Sequence, residues 1–127
     1  MTRKTPVCPD RIRTVPEQFS WVDHRLVRDR YIERLTHKAQ ALYLFLVTVA
    51  DSQGLSYYSD PSLCERLAMN EGSLDSARHE LCHSGLIAYR RPIYQVLPLG
   101  EAPAAKRVPG PPLAIGEILS KLAGGVR

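Results

Sequence analysis

The chain has 127 residues, a length that suits one small domain with tails, and its 17 lysines and arginines against 13 aspartates and glutamates give a net charge of +4. That charge permits an anionic partner without requiring one. Three cysteines do not make an even disulfide framework, and the longest apolar run, residues 41–47, is too short to cross a membrane. These features exclude a disulfide-stapled secreted domain and predict a cytoplasmic protein without a membrane segment.

Residues 1–18 form a proline-containing, basic segment with Arg3, Lys4, Arg11 and Arg13. Its prolines prevent a sustained helix, and it has few apolar side chains to bury. The segment therefore predicts a flexible basic arm. Either the arm is a disordered tail, or its arginines follow DNA phosphates or enter a minor groove.

The domain begins with Phe19 and Trp21, the first large apolar residues, which we expect to anchor the chain on the core. Residues 23–35 then predict a helix, with Arg30 as the point where it could break. Its mixed charges are typical of a solvated helix face.

Thr36 is positioned to cap a long helix over residues 37–52. This helix is apolar almost all round, which is typical of a buried central helix, and Leu46 is a core candidate within it. Residues 55–58 follow as a short predicted strand.

Two further helices are predicted between residues 60 and 84. Asp60 is a favourable N-cap, followed by Pro61 at the first helical position. Asn70 caps the second helix after a tight turn. Gly85 ends that helix because glycine adopts positive φ without strain. The apolar stripe of the second helix consists of Leu74, Ala77 and Leu81.

After Gly85 the apolar period changes to two, which predicts a β-hairpin with a loop of two or three residues around Arg91-Pro92. Together with the strand at residues 55–58 the hairpin would make a three-stranded antiparallel sheet. The predicted fold class is therefore α+β and helix-rich, with a small antiparallel sheet.

The order of helix, turn, helix and hairpin resembles the winged-helix domains of bacterial and plasmid replication initiators and of small helix-turn-helix regulators. The resemblance is carried by Leu63-Cys64 with Leu67, and by Gly85-Leu86-Ile87 leading into the hairpin. It covers residues 19–99. It implies a winged helix-turn-helix that binds double-stranded DNA, of the kind found in replication, transcription regulation or mobile-element systems.

The candidate DNA-binding residues are side chains facing away from the apolar stripe of the second helix, which could read base edges, and basic or aromatic side chains of the wing, Lys38 and the arm, which could contact the backbone. They are Ser73, Ser76, Arg78, His79, Tyr89, Arg90, Arg91, Arg11, Arg13 and Lys38.

The charge distribution leaves a second interpretation open. Residues 51–80 carry two basic and six acidic side chains, a net −4, and Glu71 and Asp75 lie in the first turns of the second helix. There they favour the helix dipole, and they could accept a hydrogen bond from a cytosine amine, but they repel phosphate. The alternative is a winged helix that acts as a protein-interaction or dimerisation adaptor.

The sequence predicts neither an enzyme nor a cofactor. It has no phosphate-binding glycine loop and no recognisable carboxylate pair or activated serine. His79 and His83 have a zinc-chelating spacing, but no C-x-x-C pair accompanies them, so no metal is predicted.

The C-terminal part divides into a Pro/Gly/Ala-rich linker, residues 100–112, and residues 113–127, which contain a short amphipathic helix over 113–122. About ten residues are marginal for a helix alone in water. The segment therefore either packs on its own domain or serves as the contact to a partner, including a second copy in a homodimer.

Overall fold

The computed structural model describes residues 3–100 and confirms the predicted fold class. The linker and the C-terminal helix predicted beyond residue 100 lie outside the described residues. The order of elements is consistent with a winged helix. Its helices are α1 (Arg25–Arg28), α2 (His37–Val49), α3 (Asp60–Leu67) and α4 (Glu71–His83), and its strands are β1 (Leu55–Tyr57), β2 (Ile87–Arg90) and β3 (Ile93–Val96).

The helix predicted before α2 is interrupted at Arg30, as expected, because the backbone there has a φ of 66°. Only α1 and a short 3-10 turn, Ile32–Arg34, are helical there, so the helix is much shorter than residues 23–35. Asp23 begins α1 by accepting hydrogen bonds from the side chain and the backbone N–H of Arg25, and these hold the pKa of its carboxyl at about 2.

Helix α2 is the central helix, as predicted, and it packs against α4. Ala39, Leu42 and Leu46 are fully buried, although Leu44 is 62% exposed, so the helix is not buried all round. The Thr36 hydroxyl caps α2 by accepting from the Ala39 N–H at 3.3 Å.

Helices α3 and α4 are joined by a three-residue turn in which Ala68 has a left-handed backbone. The expected cap at Asp60 is wrong by one residue, because the Ser59 hydroxyl accepts from the Ser62 N–H and Asp60 is the first helical residue. The cap at Asn70 is confirmed, with its side chain accepting from the Ser73 N–H at 2.7 Å. The stripe Leu74, Ala77 and Leu81 is buried.

The sheet has the order β1-β3-β2 with antiparallel pairing throughout. Position 54, just before β1, requires a glycine for two reasons. Its φ is 85°, and an added Cβ would lie 2.6 Å from the Val96 carbonyl oxygen. The glycine lets the β1 entrance approach β3, where the Val96 N–H donates to the Gly54 carbonyl at 2.8 Å. Gly85 also has positive φ, as predicted.

The arm is exposed along residues 3–18 and contains one short 3-10 turn, Pro9–Arg11. The prediction that Phe19 and Trp21 anchor the chain on the core is wrong, since they are 64% and 73% exposed. The Ser20 hydroxyl holds this segment near α2 by donating to the Thr48 carbonyl at 3.1 Å. No helix among residues 3–100 is long and apolar enough to cross a membrane.

Candidate nucleic-acid interface

Arg78, on α4, lies at the centre of a polar cluster between α3, α4 and the wing hairpin formed by β2 and β3. Its guanidinium donates to the Asp60 carboxylate at 3.0 Å and to the Tyr94 hydroxyl at 2.7 Å, and it lies 3.3 Å from the Asp75 carboxylate. Burial alone would lower the pKa of Arg78, but the hydrogen bonds with Asp60 and Tyr94 outweigh it and raise that pKa. The guanidinium is therefore charged and fully engaged inside the protein.

The same cluster braces the wing against α4. Tyr89 of β2 lies opposite Tyr94 of β3, with ring centroids 4.5 Å apart, and the Arg78 guanidinium lies 4.6 Å from the centroid of the Tyr89 ring. Tyr94 is fully buried. Burial raises the pKa of its phenol, and the hydrogen bond from Arg78 offsets part of that rise.

Two of the predicted DNA-binding residues, Arg78 and Tyr89, make contacts within the protein. The Arg78 side chain is only 12% exposed. Tyr89 packs between Arg78 and Tyr94 rather than standing free. These contacts hold the wing on α4. The ion pair of Arg78 joins it to Asp60, 18 residues away, so the sequence alone does not show that pair. The only local signal was the tyrosine pair in a short hairpin, for which cross-strand packing is common.

Arg90 and Arg91 occupy the tip of the wing. Arg90 ends β2 opposite Ile93, and Arg91 begins the two-residue turn with Pro92, to which a cis peptide bond joins it. Both arginines are exposed, and none of the ion pairs among residues 3–100 involves either one. The tip therefore presents two adjacent positive charges to solvent.

The outer face of α4 carries Ser76 and His79, which are both exposed. His79 Nδ1 lies 3.0 Å from the Asp75 carbonyl and 3.5 Å from the Asp75 carboxylate. This contact orients the ring and leaves its other nitrogen free for a hydrogen bond to a ligand.

Ser73 and Lys38 meet where α4 begins. The Lys38 ammonium donates to the Ser73 hydroxyl at 2.9 Å, joining the first turns of α2 and α4. Lys38 is exposed and keeps donors for a further partner, whereas Ser73 is half-buried. The structure thus brings these two predicted residues together at the start of α4.

Arg11 and Arg13 lie in the exposed arm. Within the described part of the chain, no side-chain hydrogen bond joins them to α4 or to the wing.

The possible metal pair, His79 and His83, is exposed at the end of α4. Across residues 3–100, no group of three or more histidine, cysteine, aspartate or glutamate side chains is arranged to hold a metal ion.

Comparisons of the chain with protein-family models, with curated proteins and with solved structures found no match.

Proposed function

We propose that this protein is a non-catalytic, cytoplasmic winged helix that binds double-stranded DNA. The observation that carries the proposal is the exposed outer face of α4, with Ser76 and His79, in the same helix-turn-helix and wing arrangement as the exposed pair Arg90 and Arg91. An α-helix fits the major groove of duplex DNA, and side chains on its free face reach base edges.

In this proposal the wing supplies backbone affinity. Its two-residue turn is too short to extend far along a minor groove, but two adjacent arginines at the tip can each contact a phosphate. The Arg78 cluster fixes the wing on α4, so the positive charges of Arg90 and Arg91 are held at a constant position relative to that helix.

Lys38 and the arm supply further positive charge. Lys38 lies beside the first turn of α4 through its hydrogen bond to Ser73, where it can contact a phosphate at the edge of the groove. Arg11 and Arg13, on an exposed arm, can follow the DNA backbone away from the domain. Such contacts are independent of base sequence and weaken with salt.

The test is the affinity for a random-sequence duplex, measured by fluorescence anisotropy across a series of salt concentrations. Arg90→Ala combined with Arg91→Ala should weaken binding to all duplexes alike. It should also reduce the slope of log affinity against log salt by about 2, one unit for each lost phosphate contact.

A charge-matched control is Arg28→Ala combined with Arg34→Ala, which removes the same charge from exposed positions before α2. The control should keep the parent's salt slope to within the small effect of net charge. An equal loss in both double variants would assign the effect to net charge. An unchanged affinity in the wing variant would exclude the wing as a DNA contact.

A second candidate function is the protein-interaction adaptor, and one observation favours it. Arg78 is the only lysine or arginine in α4, and it is engaged internally. The outer face of α4 therefore presents Glu71 and Asp75 without a free cationic side chain. If the parent protein shows no salt-dependent binding to any duplex, the adaptor becomes the better proposal.

A further inference from the structure

A groove of about 470 Å³ lies at the end of α2, away from the candidate DNA-contacting residues. Its volume is within the range of about 300–1,000 Å³ that is usual for binding pockets. Its apolar lining comes from the segment before α1, from α2 and from the segment after β3, and includes Phe19, Trp21, Tyr43, Val47, Leu97 and Leu99.

The two exposed aromatic residues, Phe19 and Trp21, are the unusual part of this groove. The hydrogen bond between the Ser20 hydroxyl and the Thr48 carbonyl holds them at the groove, yet Phe19 and Trp21 remain mostly exposed. A contiguous apolar surface of this kind, rimmed by polar residues such as Asp51 and Gln53, is typical of a binding surface.

The chain itself leads to an occupant. Leu97, Pro98 and Leu99 line the groove, so the described chain ends at Gly100, directly beside the groove wall. The twelve residues 101–112 reach up to about 40 Å when extended, at about 3.3–3.6 Å per residue. Residues 113–122 can therefore return to any part of the groove.

The pattern of residues 113–122 matches such a surface. Ile115, Ile118, Leu119 and Leu122 recur at i, i+3, i+4 and i+7, which places them on one stripe of a helix. The single acidic and single basic residue of the segment, Glu117 and Lys121, fall off that stripe. The segment thus offers an apolar contact rather than a charged one.

We propose that residues 113–122 dock as an amphipathic helix in this groove of their own chain, beneath Phe19 and Trp21. Docking supplies the tertiary packing that a helix of about ten residues needs in water. A short linker gives an effective concentration on the order of millimolar, so even a contact that is weak between separate molecules is occupied within one chain. This inference does not rest on the DNA-binding proposal.

Trp21 makes the test direct, because it is the only tryptophan of the chain and it lines the groove. The experiment uses the full chain and compares tryptophan emission and its quenching by acrylamide. Ile118→Asp combined with Leu119→Asp should shift the emission to longer wavelength and increase the quenching, since two carboxylates on the apolar stripe prevent docking. Ser120→Asp, on the opposite side of the predicted helix, should keep the parent's spectrum.

Circular dichroism checks that the folded domain of each variant keeps the parent's helical spectrum and a cooperative unfolding transition. The inference is overturned if the parent and the stripe variant have the same emission and quenching, or if Ser120→Asp reproduces the change. It is also overturned if the protection of Trp21 disappears on dilution together with a twofold fall in mass, because a second copy would then fill the groove.

Discussion

Replacing Arg78 by methionine should destabilise the protein, although the change removes a charge and keeps a long, flexible side chain. The side chain is only 12% exposed, and it hydrogen-bonds the Asp60 carboxylate and the buried Tyr94 hydroxyl. Methionine fills part of the space but donates no hydrogen bond. Tyr94, which is fully buried, would keep a hydroxyl without its partner.

The magnitude follows from the contacts. A hydrogen bond to a charged group contributes about 1.5–3 kcal/mol, and the contact with the Tyr89 ring about 0.5–1 kcal/mol. The Asp60 side chain is 40% exposed and can bind water in place of Arg78, so the loss of this ion pair adds little to the destabilisation. The exposed Asp75 pair adds at most about 1 kcal/mol. The free energy of unfolding should therefore fall by about 2–4 kcal/mol.

The assay is urea unfolding followed by circular dichroism, with a double-mutant cycle. The cycle compares Arg78→Met, Tyr94→Phe and the combined variant, and isolates the energy that the pair shares. We expect an interaction energy of about 1–2 kcal/mol, since the second substitution removes the hydroxyl that the first one leaves without a partner. Asp75→Asn is the matched control, with an expected change within about 1 kcal/mol.

The reasoning is refuted if Arg78→Met unfolds at the parent's urea midpoint and the cycle gives no interaction energy. If Arg78 were instead a phosphate contact, Arg78→Met would leave stability unchanged and reduce the salt slope of DNA binding by about 1. The two measurements thus separate a residue that positions the wing from one that binds the ligand.

Two other predictions follow from the core and from the outer face of α4. Leu46→Ala should lower the free energy of unfolding by about 2–5 kcal/mol because Leu46 is fully buried, whereas Leu44→Ala, on the same helix but 62% exposed, should change it by about 0.5 kcal/mol or less in urea unfolding. An equal effect of the two would contradict the placement of α2. Ser76→Ala with His79→Ala should reduce discrimination among duplexes selected from a random pool more than total affinity, and His83→Ala should not; a uniform loss on every duplex would count against base reading.

The sequence predicted the helix-turn-helix well because its signals are local. Asn70 caps α4 through its own side chain, and the stripe of Leu74, Ala77 and Leu81 has the period of the helix it buries. The prediction for Phe19 and Trp21 failed because their burial depends on the tertiary structure. Phe19 and Trp21 are apolar, so composition favours burial, but they are mostly exposed and line a surface groove rather than the core. Nothing within a few residues of either one encodes that outcome.

The candidate site divides in the same way. The exposure of Arg90 and Arg91 follows from their place at a two-residue turn, which the sequence shows directly. The role of Arg78 does not, because it depends on Asp60 from α3 and Tyr94 from β3 meeting over α4. The outward-facing positive charge of α4 is therefore lower than a count of its basic side chains indicates.

The acidic character of residues 51–80 has a structural explanation, which bears on the choice between DNA binding and the adaptor. Asp51 accepts from the N–H groups of Gln53 and Leu55 in the turn before β1, and Glu80 accepts from the backbone N–H and hydroxyl of Thr36. The two other engaged carboxylates, Asp60 and Asp75, share the Arg78 guanidinium. Four of the six acidic side chains therefore stabilise turns, the start of α2 and the position of the wing. A basic protein partner is not needed to account for them. Contacts within the domain therefore account for most of the acidic charge of this segment, and the exposed Arg90 and Arg91 at the wing tip stay available to the phosphate backbone that the proposed function requires.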